Sequence, residues 1–163
     1  MLVVSNTSPI CNLAIIGRLS LLRSQYGRVL VPPAVVSELA ALSHLAARAS
    51  IDSAYHEGWL AREAIPSPNA LQELRMKLDR GEAEAIALAA AKNADLLLID
   101  ERLGRAEARN RKLNIAGVLG VLLEARFSAQ LPSVRDEIRK LRIEAHFFIS
   151  PEIESFIISQ AGE

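Results

Sequence analysis

Short, solidly apolar runs recur along the chain, each closed by polar or turn-forming residues and followed by a stretch of helical periodicity. Leu2–Ser5 stops at Asn6-Thr7-Ser8-Pro9, where hydroxyl side chains ahead of a proline favour a helix start, because proline has no N–H to leave unpaired there. The pattern therefore predicts a strand, a sharp turn, a helix over Pro9–Ile16 ended by Gly17, and a second short helix over Leu19–Tyr26 stopped by Gly27. Val29–Val31 reads as a buried strand that runs into Pro32-Pro33. Ala34–Leu45 then carries Val35, Leu39 and Leu42 at helical spacing.

Between Ser50 and Pro68 the pattern is weaker: Tyr55–Trp59 reads as a helix end and Leu60–Ile65 as an edge strand. Ser67-Pro68 opens a helix to about Leu78, which Asp79-Arg80-Gly81 breaks. Glu82–Lys92 is alanine-rich and helical, Asp95–Ile99 is the strongest strand, and Arg102–Leu113 is a helix. Ile115-Ala116 is a short strand, Val118–Phe127 a helix, Ser133–Leu141 and Pro151–Gln160 two more helices, and Phe147–Ile149 a last strand.

Strands that are apolar on both faces and separated by helices predict a parallel sheet covered on both sides, a three-layer α/β/α sandwich. No repeat, low-complexity tract or linker interrupts the pattern, so residues 1–163 are expected to form one domain. Composition narrows the function. The 163 residues carry 19 basic and 19 acidic side chains, so a polyanion would have to be met by a local patch rather than by bulk charge. Aromatic residues are 4% of the chain, too few for a base-stacking platform, and the lone Cys11 excludes a disulfide framework or a multi-cysteine zinc site within the chain. No apolar stretch approaches the ~18 residues of a membrane span. Met1–Asn6 lacks the pattern of a secretory signal, so a cytoplasmic location without membrane contact is the expectation.

In parallel α/β sheets, functional groups collect at the carboxyl ends of the strands. Asn6, Thr7 and Ser8 follow the first strand there, and Asp100 and Glu101 follow the fourth. Glu38, one turn into the helix after Pro33, and Glu82 with Glu84, at the start of the alanine-rich helix, lean toward the same edge. Carboxylates and an amide from four distant segments have the donor chemistry of a Mg²⁺ or Mn²⁺ site, which can activate water and neutralise charge on a phosphate. Each residue also has a plain structural reading. Glu82 and Glu84 complement a helix N-terminus, Glu38 is an exposed helical side chain, Asp100 and Glu101 are caps, and Asn6 is a turn residue.

Four segments in order, Val3–Ile10, Val31–Leu39, Gly81–Ala89 and Leu97–Glu101, resemble the motifs of PIN-domain nucleases. Arg105 and Ile115–Leu122 are similar to an uncharacterised prokaryotic branch of nucleic-acid-binding PIN proteins, whose better-known relatives are the VapC-type toxins. The resemblance runs from about Leu2 to Leu123, with residues 124–163 as a helical extension matched loosely by that branch alone. It implies a Rossmann-like α/β/α fold and a Mg²⁺- or Mn²⁺-dependent endoribonuclease acting on single-stranded RNA. It also implies a homodimer and, for the toxin types, a small antitoxin protein as partner.

Carried over by position, Asn6 stands where the family has its first aspartate, and Glu38 matches the glutamate of the next helix. Glu84 or Glu82 takes the third acidic place, and Asp100 or Glu101 the fourth, which makes Glu38, Glu84 and Asp100 the implied metal ligands. Asn6 keeps an oxygen ligand but removes a full negative charge. That substitution supports an alternative, a catalytically degenerate PIN fold that binds RNA or a protein. Arg102, Arg105, Arg109, Arg111 and Lys112 place a basic helix beside the acids. Ser8, Arg105 and Arg109 are the candidate substrate contacts, against the plain reading of a solvated helix face. A generic nucleotide-binding reading lacks its glycine-rich loop, since Asn6-Thr7-Ser8-Pro9 follows the first strand.

Overall fold

The computed structural model describes residues 1–67 and 69–163. It is an α/β/α sandwich around a five-stranded, all-parallel sheet in the order β3-β2-β1-β4-β5. The strands are β1 (Val3–Ser5), β2 (Val29–Val31), β3 (Leu60–Arg62), β4 (Leu96–Leu98) and β5 (Ile115–Ala116). Side chains alternate across a strand, so each strand feeds two cores. Val3, Val29, Val31 and Leu98 enter one hydrophobic cluster, and Val4, Leu30, Leu97 and Ile99 enter the other. Burial on both faces is why these strands read as unbroken apolar runs.

The first cluster is closed by α1 (Thr7–Ile15), α2 (Ser20–Tyr26), α3 (Pro33–Ala40) and α4 (Leu45–Glu57), together with α8 (Val118–Phe127), α9 (Val134–Glu144) and α10 (Pro151–Gln160). The second is closed by α5 (Asn69–Arg75), α6 (Arg80–Ala91) and α7 (Arg102–Asn110). The carboxyl-terminal helices are part of the main core: Leu131, Val134, Ile138, Leu141 and Ile158 share the cluster of Val3. Glu137 is 2% exposed, and its Oε1 accepts from Arg18 at 2.8 Å and from Lys140 at 3.1 Å. This ion pair ties α9 to the turn after α1.

The expected elements are found with three corrections. The helix expected over Ala34–Leu45 is two elements: α3 stops at Ala40, and α4 begins at Leu45 with His44 as its N-cap, the ring Nδ1 accepting from the Ala47 N–H at 3.0 Å. The weak pattern of α4 follows from its narrow apolar stripe, Ala47, Ile51 and Ala54. Phe147–Ile149 is not a strand; Phe148 is exposed, and the segment leads into α10, where Ser150 Oγ accepts from the Ile153 N–H. Arg102–Leu113 ends as a helix at Asn110, with Lys112 in the left-handed region (φ 61°). Pro68, expected to open a helix, lies outside the described residues; α5 begins at Asn69.

Ile138 is fully buried between α9 and the body of the protein. Ile138→Ala should cost about 2–4 kcal/mol, through lost burial and a residual cavity. Urea unfolding should show one transition shifted to lower denaturant for the whole chain; a separate early transition of the carboxyl-terminal helices would contradict a shared core.

Candidate active site at the carboxyl edge of the sheet

The chain reverses its direction of strand addition at β1: β2 and β3 lie on one side, β4 and β5 on the other. Such a switch point opens a crevice at the carboxyl ends of the two strands that flank it. Here those strands are β1 and β4, stitched at their ends by the Asn6 N–H donating to the Leu98 carbonyl at 2.9 Å. A cleft of about 300 Å³ opens there, lined by Asn6, Thr7, Ser8, Cys11, Asn12, Glu38, Asp79 and Glu101. Asp100 and Glu82 touch this lining through hydrogen bonds with Ser8 and Asp79.

Asn6 is the N-cap of α1, 3% exposed, yet its side chain caps nothing. An asparagine at this place ordinarily accepts from the first turn of its helix. Among the described residues nothing donates to the buried Oδ1, a costly state for a carbonyl oxygen away from water. The next two residues engage the acids. Thr7 Oγ1 donates to Glu38 Oε2, and Ser8 Oγ stands 3.4 Å from Asp100 Oδ2. Asn12, one turn on and nearly buried, donates its side-chain N–H to Ser8 Oγ at 3.0 Å and so orients that hydroxyl.

Asp100 also caps α8, its Oδ1 accepting from the Val118 N–H at 2.9 Å. Burial pushes its carboxyl up to about 6, against the pull of the Val118 N–H, Arg105 and Ser8. Arg105 is partly buried and donates to the Ile99 carbonyl at 2.8 Å, so it braces the end of β4 beside Asp100. Burial lowers its pKa, with the Arg109 charge acting the same way and Asp100 opposing. Arg102 and Arg109 are exposed on α7, and Glu101, the N-cap of that helix, is exposed into the cleft with no cap hydrogen bond from its side chain.

The two acids of α6 part company. Glu82 is the N3 residue of a capping box: its N–H donates to Asp79 Oδ1 at 2.8 Å, and its Oε2 receives the Asp79 N–H at 3.3 Å. Burial, and then the charges of Asp79 and Glu101, raise its carboxyl to about 7. Glu84 is turned to another task. Its Oε1 accepts from the Ala34 N–H in the first turn of α3 at 2.9 Å, and its Oε2 pairs with Arg80 at 3.0 Å and Arg75 at 3.4 Å. Both of its oxygens are thus engaged, Oε1 in joining α6 to α3 and Oε2 in pairing with arginines of α6 and α5. The structure brings together Asn6, Ser8, Glu38, Glu82, Asp100 and Glu101, and uses Glu84 elsewhere.

Among the described residues, no three His, Cys, Asp or Glu side chains are drawn together tightly enough to hold a metal ion as they stand. The donor chemistry nevertheless fits a hard dication: oxygen ligands only, an orphaned amide carbonyl, and two carboxyls whose ionisation burial disfavours. Sequence reasoning missed Asn12 and Asp79. The spacing Asp79-x-x-Glu82 is a legible capping-box signal; Asn12, on an apolar helix, gave none.

A carboxyl raised in the folded state favours folding while it is neutral and loses that advantage as pH rises from its ordinary value, 4.5 for Glu82, through about 7. Glu82→Gln, which stays neutral, should match the parent near pH 4.5. It should exceed it in stability above pH 7 by on the order of 2 kcal/mol. Denaturant titrations at the two pH values check this, an equal difference at both being the contrary result.

Comparison with solved structures finds a PilT N-terminus domain protein from the hyperthermophilic archaeon Sulfolobus solfataricus P2, with a TM-score of 0.52 and 22% identity over 77% of this chain and 93% of that one. At this identity the likeness is one of fold. No curated protein matches the sequence. The family described as DUF3368, a PIN domain, matches residues 2–163, which takes in the carboxyl-terminal helices as well as the acidic edge. No helix is long and apolar enough to cross a membrane among the described residues. With its doubly wound parallel sheet and acids gathered at the switch point, the chain belongs to the DUF3368 family of PIN domains, a fold of nuclease type.

Proposed function

We propose that the protein is a metal-dependent endoribonuclease that hydrolyses phosphodiesters of single-stranded RNA at the β1/β4 cleft. The observation that carries this reading is the buried, unpartnered Asn6 Oδ1 set among carboxylates from three other segments. An oxygen left without a donor in a cleft of acids is suited to a cation. Asp100, Glu38 and Glu82 would hold Mg²⁺ or Mn²⁺ with the Asn6 carbonyl, while Glu84 serves the fold. When bound, the ion supplies a more acidic water and neutralises charge building up on the phosphate.

The chain's own residues do the rest. Thr7 fixes the Glu38 carboxylate, and the Asn12–Ser8 pair fixes Asp100, so two of the proposed ligands are oriented before anything binds. Glu101 stands exposed at the cleft, where it can accept a proton from an attacking water. Arg102 and Arg109, on the exposed face of α7, meet RNA phosphates, and Arg105 holds the strand end that carries Asp100. The second copy and small antitoxin that the family resemblance implies would find uncovered apolar surface at Phe148, Ile153 and Phe156.

A second reading, an RNA- or protein-binding module without catalysis, is favoured by Asn6 in place of an acid and by the lack of a preassembled ligand triad among the described residues. One experiment separates the two. With Mn²⁺ the parent should cut single-stranded RNA, Asp100→Ala should lose at least about 100-fold of that rate, and chelation should abolish it. Asn6→Asp, which restores a charge, should tighten Mn²⁺ binding as read by calorimetry. RNA binding that is indifferent to Mn²⁺, with no cleavage, would establish the module reading. Light scattering tests the homodimer, a monomer at high concentration being the contrary result.

A further inference from the structure

Gly81 and Gly117 each stand where a side chain would collide with an acid of the cleft. A Cβ on Gly81, in the first turn of α6, would lie 2.6 and 2.7 Å from the two carboxylate oxygens of Glu38. A Cβ on Gly117, the N-cap of α8, would strike Asp100 Oδ1 and come within 3.1 Å of the Arg105 guanidinium. Real Cβ atoms do not approach oxygens that closely. Neither glycine is needed for its backbone: Gly117 has φ −126° and ψ −174°, extended geometry open to any residue, and Gly81 is helical. In a helix interior glycine is the poorer choice, since alanine loses less conformational freedom.

We propose that Gly81 and Gly117 are positioning residues of the cleft, whose missing side chains form the niches that seat the Glu38 and Asp100 carboxylates. The inference rests on the reading of the cleft as a cation site only for its consequences, not for its geometry. The two niches share one design. In each, a carboxylate lies against the first residues of a helix whose free N–H groups carry partial positive charge, and an absent Cβ lets it come close. Gly104 is a different case, because its Cβ would meet Ile99 Cδ1 at 2.6 Å before Glu82 Oε1 at 3.2 Å; its alanine variant disturbs the core first. Gly120, on exposed α8 surface, has only the Ala116 Cβ, at 3.7 Å, for a neighbour and serves as the control.

The obstructing atoms at Gly81 are the far end of a long side chain, so Gly81→Ala displaces Glu38 rather than unfolding α6. Calorimetry with Mn²⁺ alone should show Gly81→Ala and Gly117→Ala binding at least tenfold more weakly than the parent, and Gly120→Ala binding equally well. In RNA cleavage the first two should lose kcat with little change in KM. In a parent that binds Mn²⁺, parent-like affinity and kcat in both variants would overturn the proposal.

A second measurement needs neither metal nor RNA. Gly81→Ala should raise the unfolding midpoint more in a Glu38→Ala background than in the parent, because the obstruction is gone and the helix gain is realised in full. Gly117→Ala, at an N-cap where alanine is the poorer residue, should lower the midpoint less in an Asp100→Ala background than in the parent. Equal shifts in both backgrounds would refute the niches even if the protein proves to be a nuclease. Unequal shifts would uphold them even if it binds no metal.

Discussion

The parallel pairing of β1 with β4 sets where everything else must go. Because the chain crosses over β1 after β3, the ends of two central strands face an opening that no helix fills, and the residues after them are forced to its rim. Asn6 is held there by its own N–H on Leu98, and Asp100 is two residues beyond the same carbonyl. Neither position depends on side-chain chemistry, so the sheet would deliver residues 6 and 100 to the crevice whatever they were. That separation of scaffold from chemistry lets an asparagine occupy the first position without disturbing the fold.

The same topology explains how so many acids are tolerated without bound positive charge. In a parallel α/β sandwich each helix that follows a strand begins at the carboxyl edge, so helix N-termini converge on the rim that gathers the acids. Asp100 accepts from the start of α8, Glu84 from the start of α3, and Glu82 closes the capping box of α6. Helix N–H groups and aligned peptide dipoles thus add to the arginines there, Arg75 and Arg80 on Glu84 and Arg105 beside Asp100. The compensation is incomplete, since Glu82 and Asp100 still have raised pKa values with burial the leading cause.

The layers, the parallel sheet and most helix positions were legible because the two-sided burial of β1, β2 and β4 leaves unbroken apolar runs bounded by polar or turn-forming residues. The segments that misled did so for physical reasons. Phe147–Ile149 has strand-like composition but no neighbour to pair with, and α4 shows too narrow an apolar stripe to announce itself. At the site, the positions of Asn6, Glu38 and Asp100 followed from strand ends and helix starts. The choice between Glu82 and Glu84 could not be made from spacing. Both precede the same apolar stripe, and what separates them is a contact with the Ala34 N–H fifty residues away. At Arg105, likewise, periodicity places the side chain beside the acids but says nothing of the Ile99 carbonyl to which it donates.

Asn6 ties these strands of reasoning together. An aspartate there would add a third strongly desolvated carboxylate to a rim where helix N-termini already fail to hold two at their ordinary pKa. The amide avoids that repulsion while keeping one carbonyl oxygen in place. A neutral side chain with an unpaired oxygen is still not a comfortable tenant, because none of the described residues donates to it. A residue chosen only to relieve charge would more simply be apolar, or turned to cap α1 as asparagines in that position do. Keeping the oxygen while giving up its cap leaves an acceptor at the rim that a hydrogen-bond donor or a cation would satisfy, and the proposed metal site is one way to supply it.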